Sequence, residues 1–532
     1  MSTGDSPAER RPLVVKIFAR SRWLSDESLT KKASLNALAS ALDYGAGLLV
    51  GFLINPLLVA GLGAYLYGVW QILGRLIGYI SVASGRPTHA LKWTIAKQQA
   101  STNYEEKRRD VGSAIAVWFL FLPLLAALGG VLAWFAPAWL KTPQELSASV
   151  RLAAGLLVAN LIMISLADVP RSVLRGENLG YKRMGLSTLL VFAGGALTAL
   201  ALYFHTGLVG VAVAQLATSL LTGALFLQVV RSYAPWFGVA RPSLQAVRRF
   251  FGLSGWFLAW SLLRQLMMAS DVVVLGLLNS VEAVTTYTLT KYAPETVISL
   301  VAIVAFEITP GLGGIIGSGN LQKAVRVRSE IMAGTWLIAT VVGATLLLWS
   351  RAFLQLWVGA EYYAGAVPSL LIALMVTQFV LIRNDAAIID LTLNLRRKVL
   401  IGALSATLSL IFAGVLVSSF KLGITGLCLG FMGGRSILSL GYPWLVSRFL
   451  GAPLAAQLKG VPRPAVVTIL LFVLALSVGD WGQAGTWIGL AFSVGVTVVV
   501  VSLLAFYAGL SGDQRRRIMQ RVQMVMRPVS KD

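Results

Sequence analysis

VGSAIAVWFLFLPLLAALGGVLAW, residues 111–134, runs 24 positions without a charged side chain, directly after the polar stretch EEKRRD at 105–110. About 20 apolar residues wound as an α-helix cross the roughly 30 Å of a bilayer's hydrocarbon. Comparable runs recur along the chain, fourteen in all, at 34–60, 67–85, 111–134, 149–170, 185–205, 209–230, 252–278, 285–309, 331–350, 366–390, 399–420, 425–446, 465–479 and 487–510. Of the 532 residues 57% are hydrophobic and only 13% charged, whereas soluble domains carry about 25% charged residues. The fold class that follows is an all-α polytopic membrane protein with about 14 transmembrane helices.

Lysine and arginine fix the expected orientation. With the N-terminus inside, one side of the membrane holds 36 of the 45 basic residues. The other side holds four, Lys141, Arg151, Arg351 and Lys421, and the remaining five lie within spans. That asymmetry is what the positive-inside rule expects, so both termini are placed in the cytoplasm. The first 30 residues are polar and basic and lack the short apolar core of a cleavable signal peptide. In the tail, Ile518, Val522 and Val525 share one helical side while Arg515, Arg516, Arg517 and Arg521 supply charge, a pattern suited to anionic membrane lipids as well as to a solvated tail. The expected organisation is a basic cytoplasmic segment at 1–32, six spans in 33–249, six more in 250–464, two further helices in 465–510 and a basic cytoplasmic tail at 511–532. The two sets of six form a faint parallel repeat, in which Tyr67 and Tyr287 follow the first external turn at similar offsets.

The five intramembrane cations are Arg75, Arg264, Lys291, Arg383 and Arg435. An arginine at mid-span costs roughly 2.5–3.5 kcal/mol on insertion scales, so five facing lipid would cost on the order of 12–18 kcal/mol. They are therefore expected to line a protected, cationic interior that suits an anionic cargo, or to form bridges between helices. Arg264 has Asp271 seven residues on, Lys291 has Glu295 four residues on, and Asp390 shares the face of Arg383. Asp43, Asp271, Glu295 and Asp385 are the buried acids able to couple transport to H⁺ or Na⁺. Asp43 leads because no base lies within a helical turn of it, although pairing across helices with Arg75 or Arg264 is the plainer reading. Pro56, Pro294 and Pro310 are the hinge candidates, because a proline frees backbone groups that an interior must satisfy.

Several functions are disfavoured. No extramembrane stretch exceeds about 35 residues, and the sequence holds only two histidines and one cysteine. There is no metal-ligand cluster, no phosphate loop of the GxxxxGK[ST] type and no hydrolytic triad, so neither an enzyme nor a bound cofactor is expected. No basic face interleaved with aromatics suggests nucleic acid.

Three stretches carry a resemblance: LINPLLVAGLGAYLYGVW at 53–70, SDVVVLGLLNSVEAVTTYTL at 270–289 and FLQLWVGAEYYAGAVPSLLIAL at 353–374. They look like landmarks of bacterial Wzx-type polysaccharide biosynthesis flippases of the multidrug/oligosaccharidyl-lipid/polysaccharide (MOP) exporter superfamily. The superfamily also holds lipid II flippases and MATE drug exporters, and the resemblance covers roughly residues 33–450. It implies a V-shaped pair of six-helix lobes, with two extra C-terminal helices where many Wzx-type members have none. It further implies alternating access in the bacterial inner membrane, and an undecaprenyl-diphosphate-linked oligosaccharide as substrate for O-antigen, exopolysaccharide or capsule biosynthesis. Partners would then be a polysaccharide polymerase or export machinery. The alternatives are a MATE-like ion-coupled drug exporter and an O-antigen ligase or polymerase-type transferase. An acidic drug cavity fits the five interior cations poorly, and short external loops fit a transferase poorly.

Overall fold

A segment surrounded by hydrocarbon must satisfy its own backbone N–H and C=O groups, so the apolar runs are expected to be helical throughout. The computed structural model describes residues 29–85, 87–99, 101–307, 312, 315–316, 318–391, 395–455, 460–479 and 484–526, with no strand among them. Residues 1–28 and 527–532, and with them most of the N-terminal segment and the end of the tail, lie outside the described residues, as does the hinge candidate Pro310.

The helices are α1 (Leu29–Ile80), α2 (Pro87–Lys97), α3 (Tyr104–Trp139), α4 (Gln144–Gly176), α5 (Leu186–Tyr203), α6 (Gly207–Tyr233), α7 (Leu244–Leu278) and α8 (Val281–Glu307). They continue with α9 (Leu321–Trp357), α10 (Ala366–Asp390), α11 (Leu395–Ser418), α12 (Gly423–Leu450), α13 (Pro462–Gly479), α14 (Trp487–Leu504) and α15 (Gly512–Met526). Among the described residues, twelve stretches are long and apolar enough to cross a membrane. The first of them, Leu38–Ser84, is 47 residues long and holds the first two expected spans. Its helix breaks at Gly63, whose φ of 74° and ψ of 167° are open in practice only to glycine. With that stretch counted twice and α8 added, all fourteen apolar runs coincide with helices. The molecule is a multi-pass membrane protein.

The chain divides into two compact units, Met1–Gln265 and Leu266–Asp532, with the boundary inside α7. In the first unit α4 packs on α3 and α6, α5 packs on α1 and α6, and the short amphipathic α2 crosses the ends of α3 and α4. Its core gathers at one end of the bundle around Leu91, Ile95, Val111, Val117, Val173 and Val230. In the second unit α12 lies against α10 and α11, while α9 meets α8 and α10.

The last two spans, outside both sets of six in the sequence, pack on α9. Thr340 and Thr468 share a 2.7 Å hydroxyl–hydroxyl bond, Trp349 donates its indole N–H to Thr497 at 3.0 Å, and the Phe472 ring fills the space over Gly343. The outer face of α14 has no protein cover: only Leu490 and Val501 of its residues are buried. Such a face is suited to lipid.

Close helix approach in hydrocarbon depends on small residues at the seam. Gly426, Gly430 and Gly434 recur every fourth position on α12 and face α11. A Cβ on Gly430 would lie 2.3 Å from the backbone nitrogen of Ala413, and one on Gly434 equally close to that of Ser409. Ser405 closes the seam by donating to the Gly434 carbonyl at 3.0 Å. This seam fixes the rotation of α12 and so points the next residue, Arg435, about 100° away from α11. Gly430→Ala should therefore lower the thermal stability of the detergent-solubilised protein by roughly 1–3 kcal/mol, the usual cost of overpacking. Gly433→Ala, whose Cβ would meet only the Phe412 ring at 3.4 Å, should leave the melting temperature close to wild type in the same scan.

Candidate functional site

Four helices of the second unit bring charge together at membrane depth. On α7, Asp271 is 2% exposed. One of its carboxylate oxygens accepts from the Tyr287 hydroxyl at 2.7 Å and from the Lys291 ammonium at 2.6 Å, both on α8. The other accepts from the backbone N–H of Val272. Lys291 also reaches Glu295, one turn further along α8, at 3.3 Å. The ammonium thus lies between two carboxylates, which is how a buried lysine can stay charged in a low dielectric.

Arg435 comes in from α12 and is 7% exposed. Its guanidinium donates to the Met267 carbonyl at 2.8 Å and lies 5.4 Å from the Phe379 ring and 5.2 Å from the Phe431 ring. Arg383 of α10 is exposed. Lys291, Glu295, Arg383 and Arg435 all line one cavity of about 40 Å³, with Met267 and Phe379 among its apolar walls. With Asp271 immediately behind, three cations face two carboxylates, a formal balance of +1.

The other buried cations are tied to acids. Arg328 of α9 holds Asp385 of α10 with two parallel bonds of 2.7 Å, and both side chains are buried. Lys398 of α11 donates to Asp390 at 2.5 Å and to the Ala386 carbonyl at 2.9 Å. In the first unit Lys107 pairs with Glu177 at 2.8 Å. Arg183, in the 3-10 turn Gly180–Arg183, meets Asp43 at 3.0 Å, and Asp43 also accepts from the Ser187 and Thr188 hydroxyls. Six cations are buried among the described residues: Lys107, Arg183, Lys291, Arg328, Lys398 and Arg435. Five of them have a carboxylate partner. Arg435 has no carboxylate within ion-pair distance: it touches a carbonyl and two ring faces, while Asp271 and Glu295 act on it from farther off.

Three of the five cations singled out from sequence therefore meet in one cavity, together with the predicted acid Glu295. Arg75, half-buried on α1, and Arg264, exposed on α7, belong to the first unit. Some expected partners differ. Asp271 is engaged by Lys291 and Tyr287 on α8, because the turn after Leu278 folds α8 back alongside α7. Asp390 goes to Lys398 across the α10–α11 connection, because Arg383 turns its side chain into the cavity. The cross-helix partner found for Asp43 is Arg183, 140 residues away, instead of Arg75 or Arg264.

Arg328 and Arg183 read as loop cations in the sequence, yet both are buried. Arg328 carried a usable signal, since it falls on the apolar stripe Ala324, Val327, Arg328, Ile331 at helical spacing. Arg183 carried none. Of the hinge candidates, Pro56 lies inside the first half of α1 and Pro294 is buried inside α8, one turn below Lys291's level. Pro294 has no N–H for the Thr290 carbonyl. The Thr290 hydroxyl is tied to the loop after α9, donating to the Tyr362 carbonyl and accepting from the Ala364 N–H, both at 3.1 Å.

No protein-family model matches this sequence, and no curated protein sequence does either. Solved structures match in fold. A lipid II flippase, MurJ, in an inward closed conformation aligns with a TM-score of 0.66 and 14% identity, over 92% of this chain and 99% of its own. An inward-facing multidrug resistance MATE family transporter of the MOP superfamily gives 0.61 at 16% identity, over 79% of this chain and 96% of its own. An outward-facing multidrug resistance MATE family transporter gives 0.53 at 17% identity, over 85% and 100%. The chain shares the fold of these transporters.

The α7–α8 ion network is open to a stability test. Lys291→Met strips two carboxylates of their shared cation and should destabilise the protein by about 3–5 kcal/mol, as removal of one member of a buried pair does. Asp271→Leu combined with Lys291→Met should recover most of that loss in thermal unfolding in detergent. A double variant no more stable than Lys291→Met would show that the two charges are not each other's main partners.

Proposed function

We propose that the protein is a flippase that carries an anionic, undecaprenyl-diphosphate-linked oligosaccharide from the cytoplasmic to the outer face of the bacterial inner membrane by alternating access. The product would feed O-antigen, exopolysaccharide or capsule biosynthesis, with both termini in the cytoplasm and a polysaccharide polymerase or export machinery downstream. The observation that carries this reading is Arg435. It is the one buried cation among the described residues with no carboxylate at ion-pair distance, and it lines a cavity with Lys291 and Arg383. A buried charge normally has a partner of opposite sign. An arriving phosphate supplies that partner, and a guanidinium can take two of its oxygens at once.

The same balance speaks against a cationic drug as cargo, although the fold is shared with MATE transporters. Arg75 and Arg264 are proposed as further stations along the route. Each of the four acids is tied to a cation, but Asp43, Asp271 and Asp385 are at most 19% exposed in their side chains while Glu295, held more loosely by Lys291 at 3.3 Å, is 39% exposed. Glu295 is thus the proposed group for H⁺ or Na⁺ coupling.

Sealed proteoliposomes with a fluorescent undecaprenyl-diphosphate oligosaccharide test the role of Arg435. Arg435→Ala should slow transfer by about tenfold or more, the loss of one charge-assisted contact, and Arg435→Lys should fall between it and wild type. Wild-type rates in Arg435→Ala, with equal protein in the membrane, would remove Arg435 from the route.

A further inference from the structure

A second cavity, wholly inside the first unit, has a different character. It measures about 280 Å³; its polar wall is Ser81 and Ser84 of the turn after α1, Thr88 and His89 of α2, and Ser165 and Asp168 of α4, with Trp118 of α3 and Leu161 among its apolar sides. This is close to the roughly 300 Å³ at which small-molecule pockets begin, and far more than one bare cation needs. It sits at the lysine- and arginine-rich ends of these helices.

The three serine hydroxyls on its wall have a fixed polarity, while Thr88 and His89 can donate as well as accept. Ser81 donates its only proton to the Gly78 carbonyl, Ser84 to the Ser81 carbonyl and Ser165 to the Leu161 carbonyl, at 2.6–2.7 Å. Each therefore turns lone pairs, not a proton, toward any guest. Asp168 adds carboxylate oxygens, and its side chain is 42% exposed even though Arg171 approaches at 3.4 Å. The wall is rich in acceptors and calls for a guest with several donors. Trp118, 6% exposed, supplies an apolar surface beside them.

Two kinds of guest bring donors: cations and polyols. The charges clustered beside Asp168, the one acid in the wall, decide between them. Arg171, Arg175 and Arg183 interact electrostatically with one another and with Asp168 and Asp43. Lys92 on α2 feels Arg175, and burial followed by that charge lowers its pKa. Four cations against two carboxylates leave a formal +2, which repels a free cation and favours an anion nearby. No group of three or more metal-ligating side chains occurs among the described residues. A sugar ring satisfies both demands at once: its hydroxyls donate to the serines and Asp168, and a phosphate attached to it gains from the guanidinium cluster that begins with Arg171 beside Asp168.

We infer that this cavity is a carbohydrate subsite, which takes a sugar ring of a phosphate-bearing glycan through Ser81, Ser84, Ser165 and Asp168. The inference rests on the transport reading only for its substrate and stands or falls by its own binding test. That test is saturation-transfer NMR on the full chain in nanodiscs with three probes: glucose 1-phosphate, galactose 1-phosphate and N-acetylglucosamine 1-phosphate. At least one should show saturable ring-proton signals. Asp168→Asn should weaken binding by about tenfold, the loss of a charged acceptor, and Ser165→Leu, which fills the cavity, should abolish it. Should Ser165→Leu fail to fold, Thr88→Val, which removes a wall hydroxyl with almost no change in volume, should still weaken ring binding severalfold.

Absence of ring signals for all three probes in wild type, or signals unchanged in Asp168→Asn, would overturn the inference. So would displacement of the ring signal by inorganic phosphate as effectively as by the sugar phosphate, since that would place binding in the guanidiniums alone. Flipping measured in the same preparation separates the two claims. Transport without ring binding discards the subsite and keeps the flippase, and ring binding without transport does the reverse.

Discussion

Hydrocarbon offers a charged side chain nothing in exchange for its water, and the fold is arranged around that constraint. Every buried cation among the described residues has an answer to it. Lys107, Arg183, Lys291, Arg328 and Lys398 each find a carboxylate on another helix, on a neighbouring turn or across a connection. These pairs are weak evidence for stability, because desolvation offsets much of the attraction. They do specify which helix faces which: α7 is registered to α8 through Asp271 and Lys291, and α9 to α10 through Arg328 and Asp385. Arg435 has no such pair. The glycine seam of α12 against α11 leaves it no other direction, and its guanidinium rests on a carbonyl and two aromatic rings.

That exception links packing to function. α10 places Arg383 and Asp385 two residues apart, about 200° round the helix. Asp385 turns to Arg328 in the core while Arg383 faces the cavity. α8 stacks Tyr287, Lys291 and Glu295 along one face, so the buried end of the network holds Asp271 and its open end reaches the cavity. Structural charges and available charges thus alternate on the same helices. An anion entering this cavity would meet Arg435 and Arg383, with Lys291 already shared between two acids. Pro294 lies between Lys291 and Glu295 in α8, where the helix lacks one of its own hydrogen bonds.

Hydropathy made the helices legible, because about 20 consecutive apolar residues leave the backbone few alternatives in a bilayer. It also flagged the cations, whose cost in lipid marks them wherever they fall within a span. Partners were harder to read. A helix displays its own neighbours at three and four residues, which is why Lys291 and Glu295 could be joined from spacing alone. Asp43 and Arg183 are separated by 140 positions, and Arg328 and Asp385 by 57. Only the packing of α1 on α5, and of α9 on α10, brings them together. The break at Gly63 was expected as a turn between two spans, whereas the long helix α9 reaches past its apolar run at 331–350 to Leu321 and carries Arg328 inside.

The claim that an unpaired interior arginine reads a phosphate is tested most directly by the charge of the substrate. Transfer rates would be compared in wild-type proteoliposomes for one fluorescent oligosaccharide carried either on undecaprenyl diphosphate or on an uncharged lipid of equal chain length. Rapid transfer of the diphosphate-linked glycan, with the neutral one remaining at the protein-free rate, is the predicted result. Equal transfer of both would contradict it, and would leave Arg435 as a packing residue.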